Sequence, residues 1–221
     1  MSHARDGSAR VDRADPEQGT VRRRIDIVLL IVGLALLAIA ALLARGRVYA
    51  WEREVFEAVN GLPDWLQPVV WVFNQYGTAV TIPLAAAAAY LTRRRMMALA
   101  LAASGISVYL LAKVMKEYVE RGRPGAVIEA VTTREVFEPG SLGFPSGHAA
   151  VAWAITIVLL PRLGRPWQVA ALFLAIVVPV VRMYVAAHLP LDLIGGAALG
   201  VAAGSAANLI VGVPSASNAR R

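Results

Sequence analysis

The chain reads as an all-α polytopic membrane protein with six transmembrane helices, and three observations lead there. Apolar residues fill 57% of its 221 positions and charged residues 17%, where a soluble domain has roughly 45–50% and about 25%. Mean hydropathy is correspondingly high, at +0.58. Six apolar runs approach the ~20 residues that a helix needs to cross the hydrocarbon layer, and arginines gather between alternate runs, as positively charged cytoplasmic turns do.

Taken in order, residues 1–24 are polar and mixed in charge and read as a disordered cytoplasmic tail. Span one covers 25–44, after the basic triplet Arg22, Arg23 and Arg24. Ala38, Ile39 and Ala40 resemble a cleavage site, but the apolar run and the tail before it are too long for a signal peptide, so the span reads as a retained anchor. Span two ends near Leu91 and begins between Pro68 and Thr78. Gly77 is a candidate break, which would leave 65–73 as an interfacial helix. Tyr49, Trp51, Trp65, Trp71 and Tyr76 form an interfacial aromatic belt. Span three covers 96–114. Span four, 146–160, is short. Span five covers 167–186, with a kink expected at Pro179. Span six, 190–211, carries Gly196, Gly200 and Gly204 at every fourth position. Such a stripe allows close helix contact, expected here within the chain rather than between copies. Domain organisation is therefore one six-helix unit over 25–212, with 213–221 as a disordered C-terminal tail.

The arginine turns orient this array. Arg93, Arg94 and Arg95, then Arg162 and Arg165, share a side with the N-terminal triplet and with Arg220 and Arg221. That side is the cytoplasm of a cell whose plasma membrane holds the protein, with both termini inside. The extracytoplasmic side carries 45–67, 116–145 and the turn Ala187, His188, Leu189. The net charge of +7 is accounted for by these basic flanks, which favour anionic lipids, and not by nucleic acid. The absence of cysteine excludes disulfides, zinc–thiolate sites and thiol nucleophiles.

Three polar signatures fall on that outer side: KEYVERGRP (116–124), PSGH (145–148) and RMYVAAHLPLD (182–192). Ionisable groups at a membrane boundary are functional candidates by default. Lys116, Arg123 and Arg182 supply three cations, and the planar forks of the two arginines match phosphate oxygens. Ser146 is an expected N-cap for span four. The free amides of that first turn form an anion site, and Gly147 leaves room for close approach. His148 is placed to protonate a leaving alkoxide. Pro190 suits the first position of span six, so Asp192 falls in its first turn with His188 just before it. A carboxylate on one imidazole nitrogen orients the ring and leaves the other nitrogen to attack phosphorus. His188 is thus the candidate nucleophile, His148 the acid and Asp192 the partner of His188.

The pattern Lys-x6-Arg-Pro, Pro-Ser-Gly-His, Arg-x5-His-x3-Asp resembles the type 2 phosphatidic acid phosphatase (PAP2) family, which shares its pocket with vanadium haloperoxidases. The resemblance implies a haloperoxidase-like helical core in a six-helix membrane enzyme. It also implies hydrolysis of lipid phosphates through a phosphohistidine, without metal or other cofactor. Lys116, Arg123, Ser146, Gly147 and Arg182 would bind phosphate; His148, His188 and Asp192 would do the chemistry. The family usually has serine where this chain has Val181, so one hydrogen bond to phosphate is expected to be missing. The expected partners are a lipid phosphate substrate and the surrounding membrane lipids. A phosphoryl transferase and a non-catalytic lipid-phosphate binding or transport protein are the rival readings.

Overall fold

The computed structural model describes residues 19–215; the disorder expected of 1–18 and 216–221 lies outside the described residues. Among the described residues nine helices run in order: α1 (Arg24–Ala44), α2 (Ala50–Asn60), α3 (Gln67–Asn74), α4 (Thr81–Leu91), α5 (Arg95–Val119), α6 (Pro124–Val127), α7 (Gly147–Leu159), α8 (Arg165–Tyr184) and α9 (Pro190–Val211). Short 3-10 turns occupy Asp64–Leu66, Gln75–Gly77 and Leu160–Arg162. Among the described residues, α1, α5, α8 and α9 are long and apolar enough to cross a membrane. Their outward faces carry large exposed apolar side chains such as Ile31, Leu42, Ile106, Phe173 and Ile210, as lipid contact requires.

The other two predicted spans are shorter than expected. Helix α4 has 11 residues and α7 has 13, about 16 Å and 20 Å of rise against a hydrocarbon layer of ~30 Å. Span two breaks at Gly77, as its glycine suggested. A Cβ there would lie 2.9 Å from both the Cβ and the carbonyl oxygen of His148, so the corner between α3 and α4 closes directly onto α7. Helix α7 is short because protein, not lipid, surrounds it. Its residues from Ala149 to Val158 are buried except Trp153, and a helix enclosed by neighbours is released from matching the bilayer thickness. Helix α8 runs through Pro179 to Tyr184.

Helix α9 is the centre of the bundle. Buried positions make up 61% of its most apolar window, against 28% for the peripheral α1. The glycine stripe faces α7 of the same chain. A Cβ at Gly196 would collide with the Ser146 carbonyl, one at Gly200 with the Ala150 carbonyl, and one at Gly204 would lie 2.8 Å from Ile157 Cβ. On the opposite side, Gly33 of α1 brings its backbone against Ala198 and Ala202, where a Cβ would lie 2.9 Å from backbone atoms.

A polar clasp ties one end of the bundle. Asp26 is fully buried and accepts two 2.8 Å bonds from Arg23 and one of 3.3 Å from Asn208 Nδ2. Arg162 donates to Asn208 Oδ1 at 2.7 Å and to the Gly212 carbonyl at 2.8 Å. Beside it, β1 (Thr20–Val21) pairs antiparallel with β2 (Val213–Pro214). The inner parts of both stretches assigned to the tails are therefore tied together. Helix α2 lies in a segment for which no helix was predicted. Trp51, Trp65 and Trp71 are exposed, as a belt requires, whereas Tyr49 and Tyr76 pack inward against the core.

Replacing Gly200 by leucine is expected to destabilise the bundle by ~1–3 kcal/mol, the usual cost of overpacking, and to lower the thermal midpoint in detergent. Gly164→Ala, at a position with open space around it, is the control. Equal midpoints for the two variants would contradict the α7–α9 contact described.

Candidate active site

The three signatures meet at one end of the bundle because of how two helices begin. Ser146 caps α7, its Oγ accepting the Ala149 N–H at 3.4 Å, and its own N–H donates to the Asp192 carbonyl at 2.9 Å. Asp192 lies in the first turn of α9, where Oδ2 accepts the Leu189 N–H at 2.8 Å. The N termini of α7 and α9 are thus joined side by side. Helix α8 reaches the same place through a tight turn. Ala186 adopts a left-handed backbone (φ 63°), which costs a non-glycine residue ~1 kcal/mol. The Arg182 carbonyl offsets this by accepting the N–H groups of Ala187 and His188, at 2.9 and 3.3 Å. That turn sets His188 against α9.

The expected cations surround these termini, but each holds a protein partner. Lys116 Nζ donates to the Leu142 carbonyl at 2.7 Å. Arg123 donates to Ser141 Oγ at 2.8 Å and to the Ala187 carbonyl at 2.9 Å, and stacks 4.1 Å over the Phe137 ring. Arg182, buried in α8, grips Glu135 with both terminal nitrogens, at 2.7 and 3.1 Å, and donates to Asn74 Oδ1 at 3.1 Å. A two-pronged carboxylate is the closest protein analogue of two phosphate oxygens on a guanidinium.

Glu135, Phe137 and Ser141 belong to the loop after α6, anchored by Arg134. Arg134 donates to Asp64 Oδ1 and to the carbonyls of Asn60, Leu62 and Tyr184, each at 2.8 Å, and lies 4.0 Å over the Tyr184 ring. The loop is therefore held as a cap over the arginines.

His188 is buried beneath this cap. Burial, reinforced by the cations Arg182, Arg123 and Lys116, holds its imidazole well below the usual 6.5. It is therefore neutral at pH 7, the form that attacks. His148 lies within the electrostatic reach of His188, Arg182 and Arg123. Space around the Gly147 Cα is open. Gly147, His148 and Lys116 line one end of a cavity of about 840 Å³ between α4, α5 and α7. Its walls include Ile82, Pro83, Ala102 and Gly105, with Ile106 and Tyr109 also exposed on the apolar exterior. The groove thus joins the polar site to the lipid-facing surface.

All eight predicted site residues lie around this end of the bundle, with two differences in detail. His188 Nδ1 is 3.9 Å from Asp192 Oδ2 and has no hydrogen-bond partner, so the two are close but not bonded as expected. Asp192 is held instead by the Leu189 N–H at Oδ2 and by Arg121, whose Nη1 donates to Oδ1 at 3.2 Å. Val181 is buried in α8 and has no hydroxyl to offer phosphate. Sequence reasoning missed Arg121, Glu52, Asn74 and the contact of Glu135. Arg121 stands inside the first signature, two positions before Arg123, and that proximity was its one signal. Nothing in the sequence separates Glu52 from Glu54 or Glu57 on the same helix. Among the described residues, no group of three or more His, Asp or Glu side chains is arranged to hold a metal ion.

Comparison with known proteins agrees with this geometry. The sequence profile of the PAP2 superfamily matches residues 96–213, more than half of the chain. The undecaprenyl-diphosphatase of Sulfolobus acidocaldarius is 26% identical over 175 residues, which are 78% of this chain and 84% of the relative. Among solved structures, Aquifex aeolicus LpxE superposes with a TM-score of 0.68 at 21% identity, over 74% of this chain and 98% of that one. The first transmembrane PAP2 type phosphatidylglycerolphosphate phosphatase from Bacillus subtilis gives 0.61 at 24% identity, over 83% and 94%. These likenesses establish a common fold, and the match that runs from α5 to the end of α9 through all three signatures places the chain in the PAP2 superfamily.

Proposed function

We propose that this PAP2 phosphatase is a six-span enzyme that hydrolyses lipid phosphates or diphosphates at the extracytoplasmic face of the plasma membrane, through a phosphohistidine on His188. The observation that carries the reading is the apolar groove ending at Lys116, Gly147 and His148. A substrate with an apolar tail and a phosphate head fits such a groove, with the tail still in the bilayer. The Sulfolobus relative, an undecaprenyl-diphosphatase, favours polyprenyl diphosphates within that class. The outward orientation rests on the arginine turns: Arg162 and the triplet at the start of α1 lie at the end of the bundle opposite the site.

In this mechanism Lys116, Arg123, Arg182 and the first-turn amides of Gly147 and His148 hold the phosphoryl oxygens. Most of the catalysis is then positioning and charge stabilisation. Neutral His188 attacks phosphorus and the bond to the lipid-side oxygen breaks, with His148 donating its proton to that oxygen. Water next attacks the phosphohistidine, gives a proton to His148 and frees inorganic phosphate. Glu135 has to leave Arg182 before phosphate occupies it, so the protein carries its own competitor for that guanidinium.

Purified protein is expected to release phosphate from prenyl diphosphates, phosphatidate or phosphatidylglycerol phosphate with chelator present. His188→Ala should lower that release by at least ~10³-fold, the scale seen when a nucleophile is removed. Loss of activity on adding chelator, or retained activity in His188→Ala, overturns the mechanism. A second expectation concerns the cap. An ion pair with one partly exposed member is worth ~0–1 kcal/mol, so Glu135→Gln should lower KM by up to about fivefold, with kcat little changed. A raised KM would instead make Glu135 a substrate ligand.

A further inference from the structure

Behind the site lies a second cluster of charge that the mechanism leaves without a task. Arg121 is 4% exposed and both Glu52 and Asp192 are fully buried. Arg121 Nη2 donates to Glu52 Oε2 at 2.7 Å and to the Arg47 carbonyl at 2.9 Å. Its Nη1 is shared, reaching Glu52 Oε1 at 3.1 Å and Asp192 Oδ1 at 3.2 Å. Glu52 also accepts the Leu191 N–H at 3.0 Å and the Tyr49 N–H at 3.3 Å. The cluster joins α2, the turn after α5 and the first turn of α9. Hydrophobic side chains do such joining at lower cost, because buried ions forfeit their hydration.

We propose that Glu52 and Arg121 are a positioning pair that sets the orientation and the net charge of Asp192, and through it the reactivity of His188. The inference rests on the reading of His188 as nucleophile.

Two features of the geometry carry it. The first is orientation. Arg121 holds one oxygen of Asp192 and the Leu189 N–H holds the other. Gly143 closes the remaining side; a Cβ there would lie 2.9 Å from Asp192 Oδ2. The carboxylate is thereby fixed with Oδ2 facing the unpartnered Nδ1 of His188, 3.9 Å away. The second is charge. A lone arginine beside Asp192 would pair with it completely and cancel its field. Here Glu52 takes the two-pronged face of the guanidinium and leaves Asp192 a single 3.2 Å contact. Two carboxylates on one guanidinium give this cluster one net negative charge, opposite in sign to the three cations that act on His188. That charge becomes useful when attack on phosphorus draws electrons from the imidazole and its Nδ1–H turns positive. A short movement of the ring then closes the hydrogen bond to Asp192. Glu52 is in effect what stops Arg121 from silencing Asp192.

The test is Glu52→Gln, which keeps the shape and an acceptor oxygen for Leu191 but removes the charge. It is measured with farnesyl diphosphate in detergent on folded protein, with thermal midpoints recorded alongside. We expect kcat to fall ~10–100-fold, the range typical of residues that orient a reacting group from behind, while KM stays within about twofold. Glu52→Asp should restore part of kcat. The deciding readout is coupling: in an Asp192→Asn background, Glu52→Gln should cost no more than about twofold further, because both changes remove one device. A kcat near the wild-type value in folded Glu52→Gln, or losses that multiply in the double variant, overturns the proposal and leaves a structural clasp. A His188→Ala arm separates the two levels: if that variant keeps wild-type activity, the nucleophile reading fails and this proposal with it.

Discussion

Helix α9 presents glycine at three successive turns where α7 crosses it, and the site depends on that. At Gly196 the α9 backbone lies against the Ser146 carbonyl, and at Gly200 against that of Ala150. At this separation the Ser146 N–H reaches the Asp192 carbonyl. Two helix N termini, each a positive dipole end, then lie side by side, and at α7 the first-turn amides of Gly147 and His148 are left without a partner inside the helix. Positive potential is built into the backbone there before any lysine or arginine is counted. A side chain in the stripe would move His148 and His188 relative to each other, and a displacement of about 1 Å is already costly for group transfer.

Charge around that volume has to be balanced while it is empty. Arg182 is buried and would be expensive to leave unpaired; Glu135 provides a removable partner, and Phe137 covers Arg123. Arg134 makes the arrangement stable by fixing the loop to four points of the scaffold. In the proposed mechanism, substrate phosphate exchanges with Glu135 and does not enter an open cationic hole. Behind the histidine the arrangement is fixed, because Glu52, Arg121 and Asp192 are buried and hold one another. One cluster is exchangeable and the other fixed, which suits one to binding and the other to orienting.

Lipid access follows from the same geometry. The break at Gly77 turns the chain against His148 and separates α4 from α3, so the groove between α4 and α5 begins at the polar site and ends at exposed Ile106 and Tyr109. A span running unbroken through this region would have no such corner against α7.

Local chemistry was legible in the sequence wherever a short stretch decides its own conformation. The cap at Ser146, the helix start at Pro190, the break at Gly77 and the glycine stripe each depend on a few consecutive residues, and each lies where its residue type placed it. The eight residues proposed for the site were picked from the sequence by side-chain type at helix ends, and the fold brings them to one end of the bundle. Tertiary structure alone decided which acids matter and how. Glu52 and Glu135 look like any surface glutamate; one is buried 69 positions from its arginine and the other meets Arg182 across 47. The 3.9 Å gap between His188 and Asp192 was equally invisible, since the carboxylate is oriented by the Leu189 N–H and by Arg121, a residue remote in sequence from both. Periodicity and capping are properties of neighbours along the chain, whereas the balance of buried charge is a property of neighbours in space.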